Sequence, residues 1–318
     1  MKKRVLLVHE EAVVRRRLTS ALPAAEFEVA QAADGLAALR LIDEKAASGA
    51  AFHIVAVHDA LPDMDGSTVL AVVKGRFPHT STVLLVDGAD AAGGEGGDIP
   101  VPFLAPDRLA AVLRATAVTS PGVPSVAPTA LPPPAGAYVL ARLDPASDPL
   151  KVLGELGCCE LAAHCDAVRD DRFGIVQLLR GPRAAVTDQA KALLDGRPGV
   201  AGWELVHVGA PKVPDGMWGF LDAHDRAQTT DAGRTRNSER PAAYVIVEAN
   251  PPDRMDLYVR LRLQDEAVEV DVAEDGRIFL LLQADDFGGL HRVMHERIRM
   301  LPGVTRVHEM KLVPYAGG

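Results

Sequence analysis

The chain has 318 residues, 48% hydrophobic and 24% charged, with a formal net charge of −9. That length is too great for one small core and suits two or three domains, and the acidic balance argues against a phosphate-gripping nucleic-acid surface. No apolar run is long enough to span a membrane, and three cysteines, two of them adjacent, make no disulfide framework, so the composition implies a cytoplasmic protein.

The basic start, Met1 to Arg4, leads into Val5–Val8, an apolar run too short for a signal-peptide core that reads as a first strand. Glu11 to Leu22 has helical spacing, with Val14 and Leu18 on one face. Phe27–Ala30 is strand-like, Asp34-Gly35 opens a helix at about 36–46, and Ile54–Val57 is another apolar strand. Leu61-Pro62-Asp63-Met64-Asp65-Gly66 makes a turn, and Thr82–Val86 is a fourth strand. Short apolar strands alternating with helices predict an α/β domain with a doubly wound parallel sheet.

Proline is dense from Thr119 to Gly136, which marks an extended spacer and a domain boundary. Beyond it lies an internal repeat. Ala137-Tyr138-Val139-Leu140 is matched by Ala243-Tyr244-Val245-Ile246, and Pro198-Gly199-Val200 by Pro302-Gly303-Val304, at an offset near 105. The organisation expected is a first domain at 1–118, a proline-rich linker at 119–136, a module at 137–208, a linker at 209–241 and a second module at 242–314. Within the second linker, Trp218 and Phe220 are expected to dock on a neighbouring module, because large apolar groups avoid water.

Each repeat reads strand, helix, strand, strand, helix, strand, the pattern of a βαββαβ ferredoxin-like α+β sandwich. In the second, Tyr244–Glu248 is a strand, Asp256–Leu263 a helix and Asp275-Gly276 a hairpin turn. Val268, Val270 and Val272 alternate with Glu269 and Asp271, which predicts a strand with one face in water. Asp285 to Met300 has helical spacing and stops at Pro302-Gly303. Cys158-Cys159 and His164-Cys165 lack the CxxC spacing of a strong zinc site, so Cys165 is read as core and His164 as pointing the other way.

Several of these segments resemble known families. VLLVHEEAVVRRRL, the Asp34-Gly35 turn and HIVAVHDALPDMDG resemble the receiver domain of two-component response regulators, a flavodoxin-like fold. The resemblance implies an acidic pair that binds Mg²⁺, a phosphoacceptor aspartate after the third strand, and a Thr/Ser and a Lys that sense the phosphate. Those positions fall here on His9 and Glu10, His58, Asp87 and Val101, so most of the chemistry is gone and the domain is read as a pseudo-receiver. Asp59, one residue past His58, faces the other way on a strand end and does not replace it. The glycine-rich stretch between Asp87 and Val101 disfavours the helix that receivers carry there. As an alternative, His9, Glu10, His58 and Asp87 at the carboxyl ends of strands are candidate ligands for Zn²⁺ or a similar ion.

IFLLLQADDFGGLHRVMHERIRMLPGVTRVHEMKLV resembles the C-terminal effector-binding and assembly domain of Lrp/AsnC regulators, and FGIVQLLRG…LLDGRPGVAGWELVHV resembles it more loosely. The resemblance implies pairing through the sheets and binding of amino-acid-like molecules, with Asp171, Arg172, Gly276 and Arg277 as candidate ligand-loop residues. The family's DNA-binding helices are absent, and no direct nucleic-acid contact is expected.

No Ser/His/Asp set, phosphate-binding glycine loop or HExxH helix is present, so no enzyme, catalytic residue or cofactor is expected. The expected function is a signalling protein whose pseudo-receiver docks a protein partner while paired modules mediate assembly, as a homo-oligomer or an intramolecular pair. A small-molecule sensor and a metal-binding protein are the alternatives.

Overall fold

The computed structural model describes residues 2–87, 99–102, 106–116, 134–156, 159–229, 236–237 and 239–314. The chain forms two compact units, one of Met1–Ala130 with Val213–Gly233 and Leu263–Asp265, the other of Leu131–Lys212 with Arg234–Arg262 and Glu266–Gly318.

The first unit begins with β1 (Lys3–Val8), α1 (Ala12–Ala21), β2 (Phe27–Ala32), α2 (Gly35–Ala47) and β3 (Ile54–His58). It continues through α3 (Gly66–Arg76), β4 (Ser81–Val86), β5 (Ile99–Pro102) and α4 (Pro106–Ala115). Its strands run parallel in the order β2-β1-β3-β4-β5. That order is the flavodoxin-like, doubly wound arrangement, whose ligand crevice opens at the carboxyl ends of β1 and β3. The central strands carry unbroken apolar runs, Val5–Val8, Ile54–Val57 and Val83–Val86, because both sheet faces are covered. Leu18, Leu109 and Leu113 close one face over Val5, Leu7, Ile54 and Ala56. On α2 and α3, Leu36, Leu39, Val69 and Val73 are fully buried. The helix expected to be missing after Asp87 lies outside the described residues, as do 119–133 of the proline-rich linker.

The interval 209–241 is not simply a linker. It carries a helix, here α7 (Asp215–Thr229), that packs on α2 and α3 of the first unit. Phe220 is fully buried, with its ring 6.0 Å from that of Phe77 and 4.5 Å from the Arg76 guanidinium. Arg76 is in turn held by Asp43 at 2.6 Å. A side-chain carbon on Gly75 would stand 3.1 Å from Ala223, so the α3–α7 approach uses the absence of one. Polarity hid this helix: its buried apolar positions, Met217, Phe220, Leu221 and Ala223, sit among glycine, aspartate and a histidine, His224, that is itself buried.

The second unit contains the repeat. The first half runs β6 (Gly136–Leu143), α5 (Pro149–Leu156), β7 (Ala162–Arg169), β8 (Ile175–Arg180), α6 (Arg183–Leu194) and β9 (Val200–Gly209). The second runs β10 (Ala242–Ala249), α8 (Arg254–Arg262), β11 (Ala267–Ala273), β12 (Ile278–Gln283), α9 (Phe287–Arg292) with a π-helical turn at Val293–Ile298, and β13 (Val304–Leu312). Two separate sandwiches at 137–208 and 242–314 were expected. Instead the eight strands close one barrel, in the order β10-β12-β11-β9-β6-β8-β7-β13. The seams are short antiparallel pairings, Val272 with Gly209 and Ala273 with Val208 at one, Lys311 with Arg169 and Leu312 with Val168 at the other.

Strand β6 sends Tyr138 and Leu140 into the barrel core, and Ala137, Val139 and Ala141 outward under α5 and α6. Strand β11 overturns the expected half-wet strand. A bulge lies between Ala267 and Glu269, and Asp271 is 1% exposed because the acidic face points into the barrel. On β7, His164 stands opposite Leu178 of the interior, while Cys165 stands opposite Gln177 and accepts a hydrogen bond from its Nε2 at 2.9 Å. Cys158 lies outside the described residues. Among the described residues, no helix is long and apolar enough to cross a membrane.

Candidate functional site

His9 follows β1, His58 ends β3, Asp87 follows β4, and Val101 lies on β5. The sheet therefore brings these four predicted positions to its carboxyl edge. The two imidazoles are buried and stacked, with centroids 4.3 Å apart. Nδ1 of His9 accepts from the Glu11 amide at 3.0 Å, which leaves the proton of a neutral ring on Nε2. Nδ1 of His58 lies 2.8 Å from the Ala60 carbonyl, which can only accept, so that nitrogen donates. His58 Nε2 stands 3.5 Å from the exposed Asp87 carboxylate. Burial, followed by the neighbouring His58, holds His9 below the ordinary histidine value, so it is neutral at pH 7. Glu10 is exposed, Asp59 is exposed, and Val101 is fully buried.

The edge thus carries a buried ring pair beside the exposed Asp87 carboxylate, with the buried Val101 on β5. The rings lie face to face, with both Nδ1 atoms committed to backbone groups. The grouping His9, Glu10, His58 and Asp87 is not one whose ligand atoms converge as a metal needs; among the described residues, that holds for Asp170, Asp171 and His308.

The Leu61–Gly66 turn beside this edge is architectural. Asp63 is buried, and its carboxylate accepts from the amides of Gly35 and Leu36 at 2.8 and 2.9 Å, while Asp34 accepts from Ala37 at 2.8 Å. Two aspartates therefore satisfy the start of α2 and pin the Leu61–Gly66 turn to it. A side-chain carbon on Gly66 would lie 2.1 Å from the His58 carbonyl oxygen, so only glycine fits there.

The loop candidates differ between the halves of the barrel. Asp171 and Arg172 line a cleft of about 650 Å³ with Arg142, Phe173, Trp203 and Glu204. Beside it, Asp170 accepts from the amides of Arg172 and Phe173 and lies 3.0 Å from His308 Nε2. Gly276 serves the turn after β11 at φ 91°, and Arg277 is tied to Asp275 and Glu204 at 2.7 and 2.8 Å. The second loop is closed by ion pairs, one of them to Glu204 on the wall of the first loop's cleft; the first loop borders open space.

No protein-family model and no curated protein matches the chain. Its N-terminal third is similar to response-regulator receiver domains of known structure. One is the signal receiver domain of an HD domain-containing protein from Pseudomonas fluorescens Pf-5, at 26% identity over 36% of this chain and 94% of that one, with a TM-score of 0.30. Another is the chemotaxis protein CheY4 of Vibrio cholerae, at 24% identity over 36% and 98%, with a TM-score of 0.31. A third is the phosphorylated cyanobacterial phytochrome response regulator RcpA, at 17% identity over 38% and 100%, with a TM-score of 0.32.

Sequence reasoning missed the polar groups inside the barrel. Tyr138 Oη donates to Asp271 at 2.9 Å, and Arg180 binds Asp271 and Glu269, each at 2.8 Å. Glu269 also lies 3.5 Å from His164. Tyr244 Oη donates to Asp166 at 2.7 Å, and Arg236 pairs with the same carboxylate. Burial raises both tyrosines far above their ordinary value, helped by their aspartates. Burial also raises Asp271, against the pull of Arg180. The signal was available: Tyr138 and Tyr244 are repeat partners 106 residues apart, and Asp166 and Asp271 lie 105 apart, within one residue of that offset.

Proposed function

We propose that this chain is a non-enzymatic regulatory protein of a signalling system. Its receiver-like unit takes up no phosphoryl group and offers a protein partner a fixed docking surface. Its paired Lrp/AsnC-like, ferredoxin-like halves form the assembly body. The observation that carries this reading is His58. It occupies the acceptor position, buried, stacked on His9 and hydrogen-bonded through Nδ1 to Ala60. The acceptor position thus offers an imidazole rather than a carboxylate nucleophile, and the carboxylates beside it among the described residues, Glu10, Asp59 and Asp87, are exposed. The test is incubation of the full chain with acetyl phosphate and Mg²⁺, followed by intact mass measurement. The mass should not change; a phosphorylated species would overturn the reading.

A second reading is a small-molecule sensor, favoured by the cleft at Asp171 and Arg172. Two arginines, two carboxylates and Trp203 around about 650 Å³ suit an amino-acid-like zwitterion. Thermal shifts across the free amino acids, repeated on Arg172→Ala, test it. A saturable rise abolished by the substitution supports it, and no rise with any of them rejects it.

A further inference from the structure

The two carboxylate–tyrosine pairs inside the barrel are built alike but completed differently. Asp271 receives its cation from Arg180, a residue of β8 itself. In the other half, IVQLLR (175–180) aligns with IFLLLQ (278–283), so the position of Arg180 is taken by Gln283. Glutamine brings no charge to Asp166. Its side chain instead laces the segment ahead of β10, accepting from the Asn237 amide at 2.9 Å and donating to the Asn237 carbonyl at 2.5 Å. The neighbouring Arg236 then supplies the guanidinium to Asp166. A buried carboxylate that loses its cation is strongly penalised, so this socket needs an occupant. The occupant comes from irregular backbone, its side chain is 25% exposed, and it borders a cleft of about 110 Å³ with Phe287 and Leu312.

We infer that the Asp166–Tyr244 socket is a binding site for a free guanidinium compound, with Arg236 as a resident occupant that such a ligand displaces. The Asp166 carboxylate takes Arg236 on Oδ1 and the Tyr244 hydroxyl on Oδ2, so one guanidinium completes its set of partners. A planar guanidinium offers a fixed fork of donors to a carboxylate, which a compact ammonium does not. The cleft is too small for a folded partner and suits a small head group. This site is independent of the docking surface and of the cleft at Arg172.

The experiment is chemical rescue on the full chain. Arg236→Ala is expected to lower the melting temperature by about 5 °C or more, because Asp166 is left buried without a cation. Millimolar methylguanidinium chloride should restore most of that loss and raise the melting temperature of the unsubstituted protein by a smaller amount, because there it must displace Arg236, while sodium chloride at equal ionic strength does neither; no rise in the unsubstituted protein overturns the displacement. In the double variant Asp166→Asn, Arg236→Ala, both the loss and the rescue should disappear. An Arg236→Ala protein as stable as the parent, or equal rescue in the double variant, overturns the proposal. Should Arg236→Ala fail to fold, Gln283→Ala keeps the arginine and removes its lacing. That variant should bind methylguanidinium saturably by calorimetry, and no binding overturns the proposal.

Discussion

Replacing Phe220 by alanine tests whether α7 belongs to the core of the first unit. The ring is fully buried, 6.0 Å from Phe77, with Arg76 4.5 Å above its face. Removing a buried phenylalanine costs about 3–5 kcal/mol, as transfer plus residual cavity. The lost cation–π contact accounts for about 1 kcal/mol of that. Arg76 keeps Asp43 at 2.6 Å, so the charge is not orphaned and the lower part of the range applies. With about 3 kcal/mol lost and a urea slope near 2 kcal/mol/M, the midpoint of the N-terminal unit should fall by about 1.5 M. Circular dichroism through a urea titration reads this. Phe287→Ala is the control, since Phe287 is 62% exposed and should change stability by less than about 0.5 kcal/mol. A Phe220→Ala shift no larger than the control's would refute the packing and return 209–241 to the status of a linker.

Three further outcomes follow from named contacts. Gly66→Ala should destabilise by more than about 2 kcal/mol, or prevent folding, because the new carbon meets a backbone oxygen rather than a movable side chain; a thermal melt reads it. Gly154→Ala in α5 should instead stabilise by about 0.5–1 kcal/mol, since nothing lies within 4 Å of the added carbon; denaturant titration would show a higher midpoint. The folded state lowers the affinity of His9 for protons relative to the unfolded chain, so the stability it contributes is present above its ordinary value of 6.5 and is lost as pH falls below it. His9→Asn should flatten the decline in urea midpoint on acidification; His53, lowered in the same direction by burial, leaves a residual slope.

The first sheet was legible in the sequence because its strands are buried on both faces. Runs such as Val5–Val8 and Ile54–Val57 then carry no polar positions and stand apart from the helices. The edge residues His9, His58 and Asp87 were legible for the same reason, since each lies just past the end of such a run. The two βαββαβ halves also followed from strand spacing and the repeat. Closure into one barrel did not. It depends on two seams of two paired residues each, and on interior positions that alternate with equally apolar ones facing helices. Val268, Val270 and Val272 looked like a core face and Glu269 and Asp271 like a wet one, because a polar barrel interior has the same period as a solvent face. Helix α7 was missed because it buries few side chains between charged neighbours, and no local pattern reveals which distant surface they meet.

A barrel assembled from two identical chains obeys two-fold symmetry, so any residue placed in one interior pocket is imposed on the other. Here both halves lie in one chain. Its closure is a first-order event that dilution does not reverse, and each half is free to carry its own residues. Arg180 on one side and Gln283 on the other is a pairing that a symmetric dimer cannot encode. Covalent linkage thus gives this fold a permanent difference between two otherwise matched sockets.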